Sequence, residues 1–359
     1  MSDDLWRVID LKAQDPYVIH SVYEAVAYSV SEGASPPTLI LIHPAKPYVC
    51  VGFHQIPREE VDFQRCVEDN VPVVRRQIGG GTVYLDGGQQ FYHVVTRYEA
   101  QPLQRFFEKH LEPIVKLYRD YGVKAEYKPL NDIVADGRKI SGNGAARIMD
   151  AMVLVGNVIM DVDASRMVQY LRVPSEKFRD KLVKSMGEWV TSLRRETGFT
   201  PVREEVKERI TELFTEALGV SFTPSHLTGM EAEAMQKVRV KLSSEEWLNA
   251  WEDEHRPLIE ARRVKVKAGL EVVEVSRKGR KLLKALAELK GDRIYTIMLS
   301  GDFFVFPRGE ELRRLEKALE GLRVCVEDVK PVVEEFWRGS WLEGLTCEDV
   351  IQTILSLKP

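Results

Sequence analysis

Three consecutive glycines directly after an apolar run are the feature that most restricts how this 359-residue chain can fold. Residues 71–74 are predicted to form a strand, which runs into Arg75-Arg76-Gln77-Ile78-Gly79-Gly80-Gly81-Thr82-Val83-Tyr84. Glycines lack Cβ atoms, so the backbone can lie against a ligand, and consecutive N–H groups in such a loop can bind an anion. The two arginines pair well with carboxylate or phosphate. The segment therefore predicts a site for a carboxylate and a nucleotide; the alternative is a tight loop with two surface arginines.

A second motif lies in a predicted β-hairpin further along the chain. Residues 133–135 and 139–140 flank the sequence Asp136-Gly137-Arg138, and an Asp-Gly pair tolerates the positive φ angles of a tight turn. Lys139 would then be a point charge held on a sheet, suited to an acyl or phosphoryl oxygen in a transition state. The alternative is an ordinary exposed lysine.

Four polar or small residues beside that lysine complete the second candidate site. Mg²⁺ prefers one or two carboxylates together with phosphate oxygens, so Asp132 is a candidate ligand of a nucleotide-bound magnesium ion. The full set predicted to bind substrate or nucleotide here is Asn131, Asp132, Lys139, Ser141 and Gly142.

Composition and the absence of other motifs narrow the function further. Lys and Arg number 51 against 55 Asp and Glu, a net charge of −4, which argues against a dedicated nucleic-acid-binding protein. No apolar run is long enough to span a membrane, and the acidic start Met1-Ser2-Asp3-Asp4 is unlike a secretory signal, so we expect a cytoplasmic protein. The four cysteines form no Cys-x-x-Cys pair, and P-loop, Rossmann, G-x-S-x-G and H-E-x-x-H motifs are lacking.

The pattern of apolar residues predicts an α+β fold with a mixed, mostly antiparallel sheet surrounded by helices, followed by a small α+β domain. The expected division is a main domain over 1–225, a helical connection over 226–260 and an accessory block over 261–359. Within the main domain, residues 82–85 and 91–96 are expected to form a hairpin around Asp86-Gly87-Gly88. We also expect strands over 264–267 and 270–275, a helix over 278–289, and a strand pair around Gly301-Asp302.

The two motifs together resemble the lipoate–protein ligase family, which has the biotin/lipoate ligase fold. That family carries Arg-Arg-x-x-Gly-Gly-Gly-[Ala/Thr]-Val, then Asn-Asp leading into Gly-[Arg/Lys]-Lys-[Ile/Val]-Ser-Gly. In this chain the segments are RRQIGGGTVYLDGGQ (75–89) and NDIVADGRKISG (131–142), in the same order. VGFHQ (51–55) is similar to the family's Gly-x-x-Gln, and SSEEWL (243–248) and GDFF (301–304) look like its accessory domain.

The resemblance implies a two-step reaction. Lipoate and ATP, as its magnesium complex, give lipoyl-AMP and pyrophosphate, and the lipoyl group then passes to one lysine of an acceptor lipoyl domain. By resemblance, Lys139 is the essential lysine that contacts the lipoyl carbonyl and the phosphate. The fused accessory domain is compatible with a working monomer. The nucleotide contacts carry over to Arg76, Gly81, Thr82, Val83 and Tyr84.

The sequence leaves three alternative functions open, and it differs from the family's usual pattern at one place. An octanoyl- or lipoyl-transferase of the same fold uses a cysteine thioester and no ATP, but no cysteine lies between Cys66 and Cys325. A biotin ligase would carry a Gly-Arg-Gly-rich loop, and a non-catalytic acyl- or nucleotide-binding regulator would tolerate loss of Lys139. Where family members often have His-His-Gly, this chain has Leu154-Val155-Gly156.

A basic segment adds a prediction about the partner. Nine basic side chains between 262 and 284 are opposed there only by Glu271 and Glu274, and such a patch would steer an acidic acceptor domain. The alternative is an ordinary solvated surface. The nine are Arg262, Arg263, Lys265, Lys267, Arg277, Lys278, Arg280, Lys281 and Lys284.

Overall fold

The computed structural model describes residues 5–173, 175–261 and 270–358. The strands are β1 Leu5–Gln14, β2 Thr38–Pro44, β3 Tyr48–Val51, β4 Val73–Arg75, β5 Val83–Leu85, β6 Gln89–Arg97, β7 Ala125–Lys128, β8 Asp132–Ala135, β9 Arg138–Ile148, β10 Ala151–Ile159, β11 Ser221–Pro224, β12 Glu271–Lys278, β13 Leu282–Lys290, β14 Arg293–Gly301, β15 Phe304–Phe306 and β16 Trp341–Glu343. The helices are α1 Pro16–Ser31, α2 Pro57–Glu60, α3 Phe63–Glu68, α4 Leu103–Asp120, α5 Ala164–Gln169, α6 Glu176–Trp189, α7 Leu193–Thr197, α8 Arg203–Leu218, α9 Gly229–Leu242, α10 Glu245–Glu254, α11 Arg256–Ala261, α12 Glu311–Leu319, α13 Val326–Gly339 and α14 Cys347–Leu355. No helix among these residues is both long and apolar enough to cross a membrane.

The described chain forms two compact units whose limits differ from the predicted domains. The first holds the chain up to Cys50, then Val61–Val74 and Val83–Ser243; the second holds Val51–Glu60, Arg75–Thr82 and the chain from Ser244 onward. The predicted connection over 226–260 is divided, because α9 packs on α1 in the first unit whereas α10 and α11 belong to the second.

The first unit is built on an eight-stranded sheet in the order β11-β1-β2-β6-β10-β9-β8-β7. The β1 pairings with β2 and β11 are parallel and the others are antiparallel, which confirms the predicted mixed, mostly antiparallel sheet. We call the side covered by α1 the α1 face: Tyr23 of α1 makes an edge contact with His93 of β6, with 5.4 Å between ring centroids. On the opposite face, Tyr92 packs against Phe214 of α8.

Local sequence explains two elements that position the candidate site. Helix α1 begins where the Asp15 carboxylate accepts the Tyr17 N–H, and Pro16 stands at its first turn. The turn between β8 and β9 has φ of 48° at Asp136 and 78° at Gly137, the pair of positive angles that an Asp-Gly hairpin turn requires. The predicted lysine hairpin is confirmed.

The second unit has its own apolar core beneath the three-stranded sheet β12-β13-β14. Phe53 and Ile56 from the segment Val51–Glu60 belong to this core together with Trp251 and residues of β13 and β14. A separate two-stranded sheet pairs β15 with β16.

Three expectations about the elements were wrong. Residues 278–289 form no helix, because Leu283, Ala285 and Ala287 alternate into the core from β13, which pairs with β12 and β14 on either side. The strands on either side of Asp86-Gly87-Gly88 do not pair with each other: β5 pairs with β3, whereas β6 pairs with β2 and β10. Likewise β14 and β15 are not partners.

Part of the predicted basic patch lies outside the described residues, as does the strand expected over 264–267. These outside members are Arg262, Arg263, Lys265 and Lys267. Two described members are paired with acids: Lys278 with Asp302 at 3.3 Å and Lys284 with Glu59 at 3.3 Å. Docking of an acidic partner at this segment stays a prediction.

Candidate active site

The predicted site residues are divided between the two units. Arg75, Arg76, Gly79, Gly80, Gly81 and Thr82 belong to the second unit, and Val83, Tyr84, Asn131, Asp132, Lys139, Ser141 and Gly142 belong to the first.

Lys139 lies at the start of β9, where the backbone fixes its position. Its carbonyl accepts a hydrogen bond from the Thr191 N–H at 2.8 Å, and its ammonium lies 2.6 Å from a carboxylate oxygen of Asp132. Both side chains keep more than a third of their surface exposed, 39% for the lysine and 35% for the aspartate. Solvent therefore weakens the ion pair, and the ammonium stays accessible to a ligand anion.

The side chain of Lys139 runs over Gly142 on the α1 face of the sheet. A Cβ at Gly142 would lie 3.2 Å from the Cε atom of Lys139 and 3.5 Å from its Nζ atom. The Gly142 N–H donates to the Oδ1 atom of Asn157 at 2.7 Å, and the Asn157 amide donates to Gln89 at 2.9 Å. The bare backbone at Gly142 thus leaves space beside the ammonium, with an amide network beneath it.

A second network lies on the opposite face and ties the Asn131 segment to β9. The Asn143 amide donates to the Asn131 carbonyl at 2.9 Å, and the Asn131 amide donates to the Asn143 carbonyl. The Tyr92 hydroxyl donates to the Oδ1 atom of Asn143 at 2.5 Å, and Ser141 also contacts Asn143. Buried Ser141 and Asn131 therefore position the hairpin, and the sequence analysis missed Asn143 and Asn157.

The glycine loop lies against backbone of its own unit. Gly80, with φ of 93°, donates its N–H to the Phe303 carbonyl at 3.1 Å. A Cβ at Gly79 would lie 2.5 Å from that same carbonyl oxygen. The absence of side chains is needed for this close approach, so the glycines have a packing role within the second unit as well as their predicted role toward a ligand.

The two arginines beside the loop differ from each other. Arg76 is half-buried and donates to the carbonyls of Gly79 and Gly81, each at 2.8 Å, so it closes the loop on itself. Arg75 is 1% exposed; it donates to the Leu248 carbonyl at 2.8 Å and to the carbonyls of Gly52 and Phe53. Burial lowers the pKa of Arg75 to about 10. These contacts favour a positioning role for Arg75 over the predicted direct contact with a ligand.

Gln55 links the Gly-x-x-Gln segment to the end of the glycine loop. Its Oε1 atom accepts the Thr82 hydroxyl at 2.8 Å and the Gly52 N–H at 3.2 Å. Beyond the loop, in the first unit, Val83 is exposed and Tyr84 is buried, with its ring stacked on Tyr170 at 5.6 Å. Burial raises the pKa of Tyr84 to about 12, so this hydroxyl stays protonated at neutral pH.

Among the described residues, no group of three or more His, Cys, Asp or Glu side chains is placed to hold a metal ion. The carboxylate of Asp132 is the acidic group nearest the ammonium of Lys139 in the hairpin. A single carboxylate fits an ion that also takes phosphate oxygens from a nucleotide.

Sequence comparison places this chain beside lipoylation enzymes. Residues 15–215 match the family described as "Lipoyl protein ligase A/B catalytic domain". The octanoyltransferase LipM of Kyrpidia tusciae is 27% identical over 67% of this chain and 97% of its own length. The lipoate-protein ligase A subunit 1 of Thermoplasma acidophilum is 31% identical over 55% of this chain and 79% of its own. The lipoate–protein ligase 1 of Staphylococcus aureus is 28% identical over 80% and 81%.

Solved structures agree on the fold. The bi-partite lipoate protein ligase of Thermoplasma acidophilum, studied with its E2 lipoyl domain, has a TM-score of 0.62 at 28% identity, over 67% of this chain and 94% of its own. A lipoate-protein ligase A bound with ATP has a TM-score of 0.59 at 25% identity, over 67% and 97%. The Plasmodium falciparum LipL1 complex with lipoate, at 15% identity, shares the fold over 98% of this chain and 99% of its own, with a TM-score of 0.71.

Proposed function

The chain belongs to the family of the lipoyl protein ligase A/B catalytic domain, and from this premise we propose that it is an ATP-dependent lipoate–protein ligase. The observation that carries the proposal is the accessible ammonium of Lys139 over the bare backbone of Gly142. The similarity to a ligase solved with ATP supports it.

The proposed reaction has two steps. A carboxylate oxygen of lipoate attacks the α-phosphorus of ATP, pyrophosphate leaves, and lipoyl-AMP forms. The amine of an acceptor lysine then attacks the acyl carbonyl, loses a proton and displaces AMP. Negative charge develops on phosphoryl and acyl oxygens in turn, and the ammonium of Lys139 neutralises it in both steps. Asp132 orients that ammonium and is the candidate ligand of the magnesium ion that accompanies ATP.

The acceptor in this proposal is the lipoyl domain of another protein. A structural relative was studied with its E2 lipoyl domain, which supports this class of partner. We propose that the reaction takes place in the cytoplasm.

Lipoate-dependent exchange of labelled pyrophosphate into ATP tests the first step directly. Removing a preorganised charge-stabilising group costs about 10²–10³ in rate, so we expect Lys139→Ala to lower exchange by that factor. Lys116→Ala is the matched control, because Lys116 is an exposed lysine paired with one carboxylate, Glu216, on another surface. If wild-type protein shows no lipoate-dependent pyrophosphate exchange, the ligase assignment is wrong.

A second candidate is octanoyl transfer through a cysteine thioester. It is favoured by the LipM similarity and by the Sγ atom of Cys50, which lies 3.4 Å from the Nε2 atom of His20. A thioester mechanism requires the nucleophilic thiol, so Cys50→Ala would abolish transfer, whereas a ligase would retain pyrophosphate exchange. Cys66→Ala, at another buried cysteine, is the control.

A further inference from the structure

The α1 face of the first unit carries an open strip beside Lys139. Along β9, Gly142, Gly144 and Ala146 are partly exposed, whereas Ser141, Asn143 and Ala145, which alternate with them, are buried. Side chains alternate between the two faces of a strand. Gly144 is in register with Val155, and Val155 with His93, which contacts Tyr23 of α1, so the exposed series lies on the α1 face. The opposite face is therefore covered, and the α1 face is open at β9.

The strip continues onto the next strand. Val155 lies opposite Gly144 in the β9–β10 pairing, and it is the one residue of β10 that is not fully buried. The floor of the strip therefore consists of small or apolar residues. It begins beside the ammonium of Lys139 and is formed by Gly142, Gly144 and Val155.

His93 stands at the inner end of this strip. It is opposite Val155 in the β6–β10 pairing. The side chains of His93 and Val155 therefore lie on the same face of the sheet as Gly144, which has no side chain. The imidazole is 0% exposed, and neither ring nitrogen has a hydrogen-bond partner among the described residues. Tyr23 covers it from α1 through an edge contact that provides no such bond.

A buried polar group without a partner is costly, and it is rare in folded proteins unless a ligand or another group satisfies it. Burial lowers the pKa of His93 to about 3, so the ring is neutral and offers one N–H donor and one acceptor. Strands lie about 4.8 Å apart and residues rise about 3.3 Å along a strand, so two spacings from β9 to β6 and two residues from Gly142 to Gly144 place His93 about 12 Å from Gly142. That distance is comparable with the length of an extended octanoyl chain from its carboxyl oxygen to its terminal methyl group.

We propose that His93 contacts the far end of the acyl chain and makes the site prefer a chain ending in a dithiolane ring over a saturated one. The inference rests on the proposed function, which puts the acyl carboxyl at Lys139. A ring sulfur accepts the imidazole N–H, whereas the terminal methyl group of octanoate leaves that donor unpaired.

Equilibrium binding of lipoate and octanoate by calorimetry tests the proposal without ATP. One hydrogen bond is worth roughly a fivefold to tenfold change in affinity, so His93→Leu should weaken lipoate binding by that factor and leave octanoate binding unchanged or tighter. His93→Gln keeps a donor and should retain most of the preference for lipoate, which covers the case of a leucine variant that does not fold. His110→Leu is the control, since it removes another buried neutral histidine, on α4.

Two outcomes would overturn the assignment of His93: equal changes for both acids in His93→Leu, or no change for either. Wild-type protein that binds neither acid would overturn it as well. The exchange assay detects failure of the ligase proposal separately. If His93→Leu selectively loses lipoate binding while wild-type protein shows no pyrophosphate exchange, the role of His93 is supported and ATP-dependent activation is rejected.

Discussion

Gly156→Ala tests how strictly the sheet behind Lys139 is packed. A Cβ at Gly156 would lie 2.3 Å from the Oδ1 atom of Asn143 and 2.4 Å from the hydroxyl oxygen of Tyr92. Those two atoms are hydrogen-bonded to each other at 2.5 Å, and the tyrosine is 0% exposed. Neither side chain can rotate into solvent, so the methyl group must break their contact or displace the strand.

The expected cost follows from two contributions. Forcing extra volume into a packed interior costs about 1–3 kcal/mol, and separating Tyr92 from Asn143 leaves buried polar atoms unpaired at about 1–3 kcal/mol. We therefore expect Gly156→Ala to lower the free energy of unfolding by about 2–6 kcal/mol. Tyr92→Phe removes only the hydroxyl, and we expect a loss of about 1 kcal/mol.

Urea unfolding followed by circular dichroism measures both variants against wild-type protein. Asn143 also holds the Asn131 segment, so pyrophosphate exchange at a temperature where Gly156→Ala is still folded should fall too. A Gly156→Ala variant within about 0.5 kcal/mol of wild type would refute the packing argument, since that is the ordinary range for a surface substitution.

Three further predictions concern separate parts of the molecule. Gly142→Ala should lower pyrophosphate exchange about tenfold, with little change in unfolding free energy, because its methyl group would displace only the flexible end of Lys139; unchanged exchange would contradict this. Arg75→Met should destabilise the protein by about 3 kcal/mol in urea unfolding, because three backbone carbonyls lose a charged donor; an effect below about 1 kcal/mol would contradict the positioning role. Burial lowers the pKa of His110 from 6.5 to about 4, so below pH 6.5 the unfolded chain binds a proton that the folded chain does not. Stability should fall from pH 6.5 toward pH 4, by about 1.4 kcal/mol per unit for each such histidine, and His110→Leu should reduce the slope measured by urea unfolding at several pH values.

The lysine hairpin could be predicted from sequence because its determinants are local. Asp136 and Gly137 set the turn by their own backbone preferences, and the turn fixes where Lys139 stands on the following strand. Helix α1 likewise follows from Asp15 and Pro16 at its start. In each case the residues that specify the element are within a few positions of one another.

The elements that were predicted wrongly or missed depend on contacts between residues that lie far apart in the sequence. Strand β13 contains Leu, Ala, Lys and Glu, which favour a helix in isolation, but pairing with β12 and β14 overrides that preference. Strand β5 leaves the turn at Asp86 for a different sheet because its partner, β3, lies far back in the sequence. Strand β1 was not predicted, because it is specified by its pairing with β2 and with β11, which is distant in the sequence.

The same limit applies to the arginine pair of the glycine loop. Sequence shows two adjacent guanidinium groups and nothing to tell them apart. The fold buries Arg75 against the carbonyl of Leu248, far along the chain, and folds Arg76 onto its own loop. Adjacent residues in an extended strand point to opposite sides, and only the tertiary structure decides which side is the interior.

The choice between adenylate and thioester chemistry depends on which nucleophile or charge the acyl carbonyl can reach. A thiol must be accessible and ionisable to form a thioester. Cys50 is 0% exposed and Cys66 is 2% exposed, and burial, together with nearby acids, raises the pKa of Cys66 to about 12. Lys139 is 39% exposed and carries its charge at the edge of an open strip. A thioester route would require the buried thiol of Cys50 to become accessible, whereas the ammonium of Lys139 is already exposed, and for this physical reason we favour the ligase.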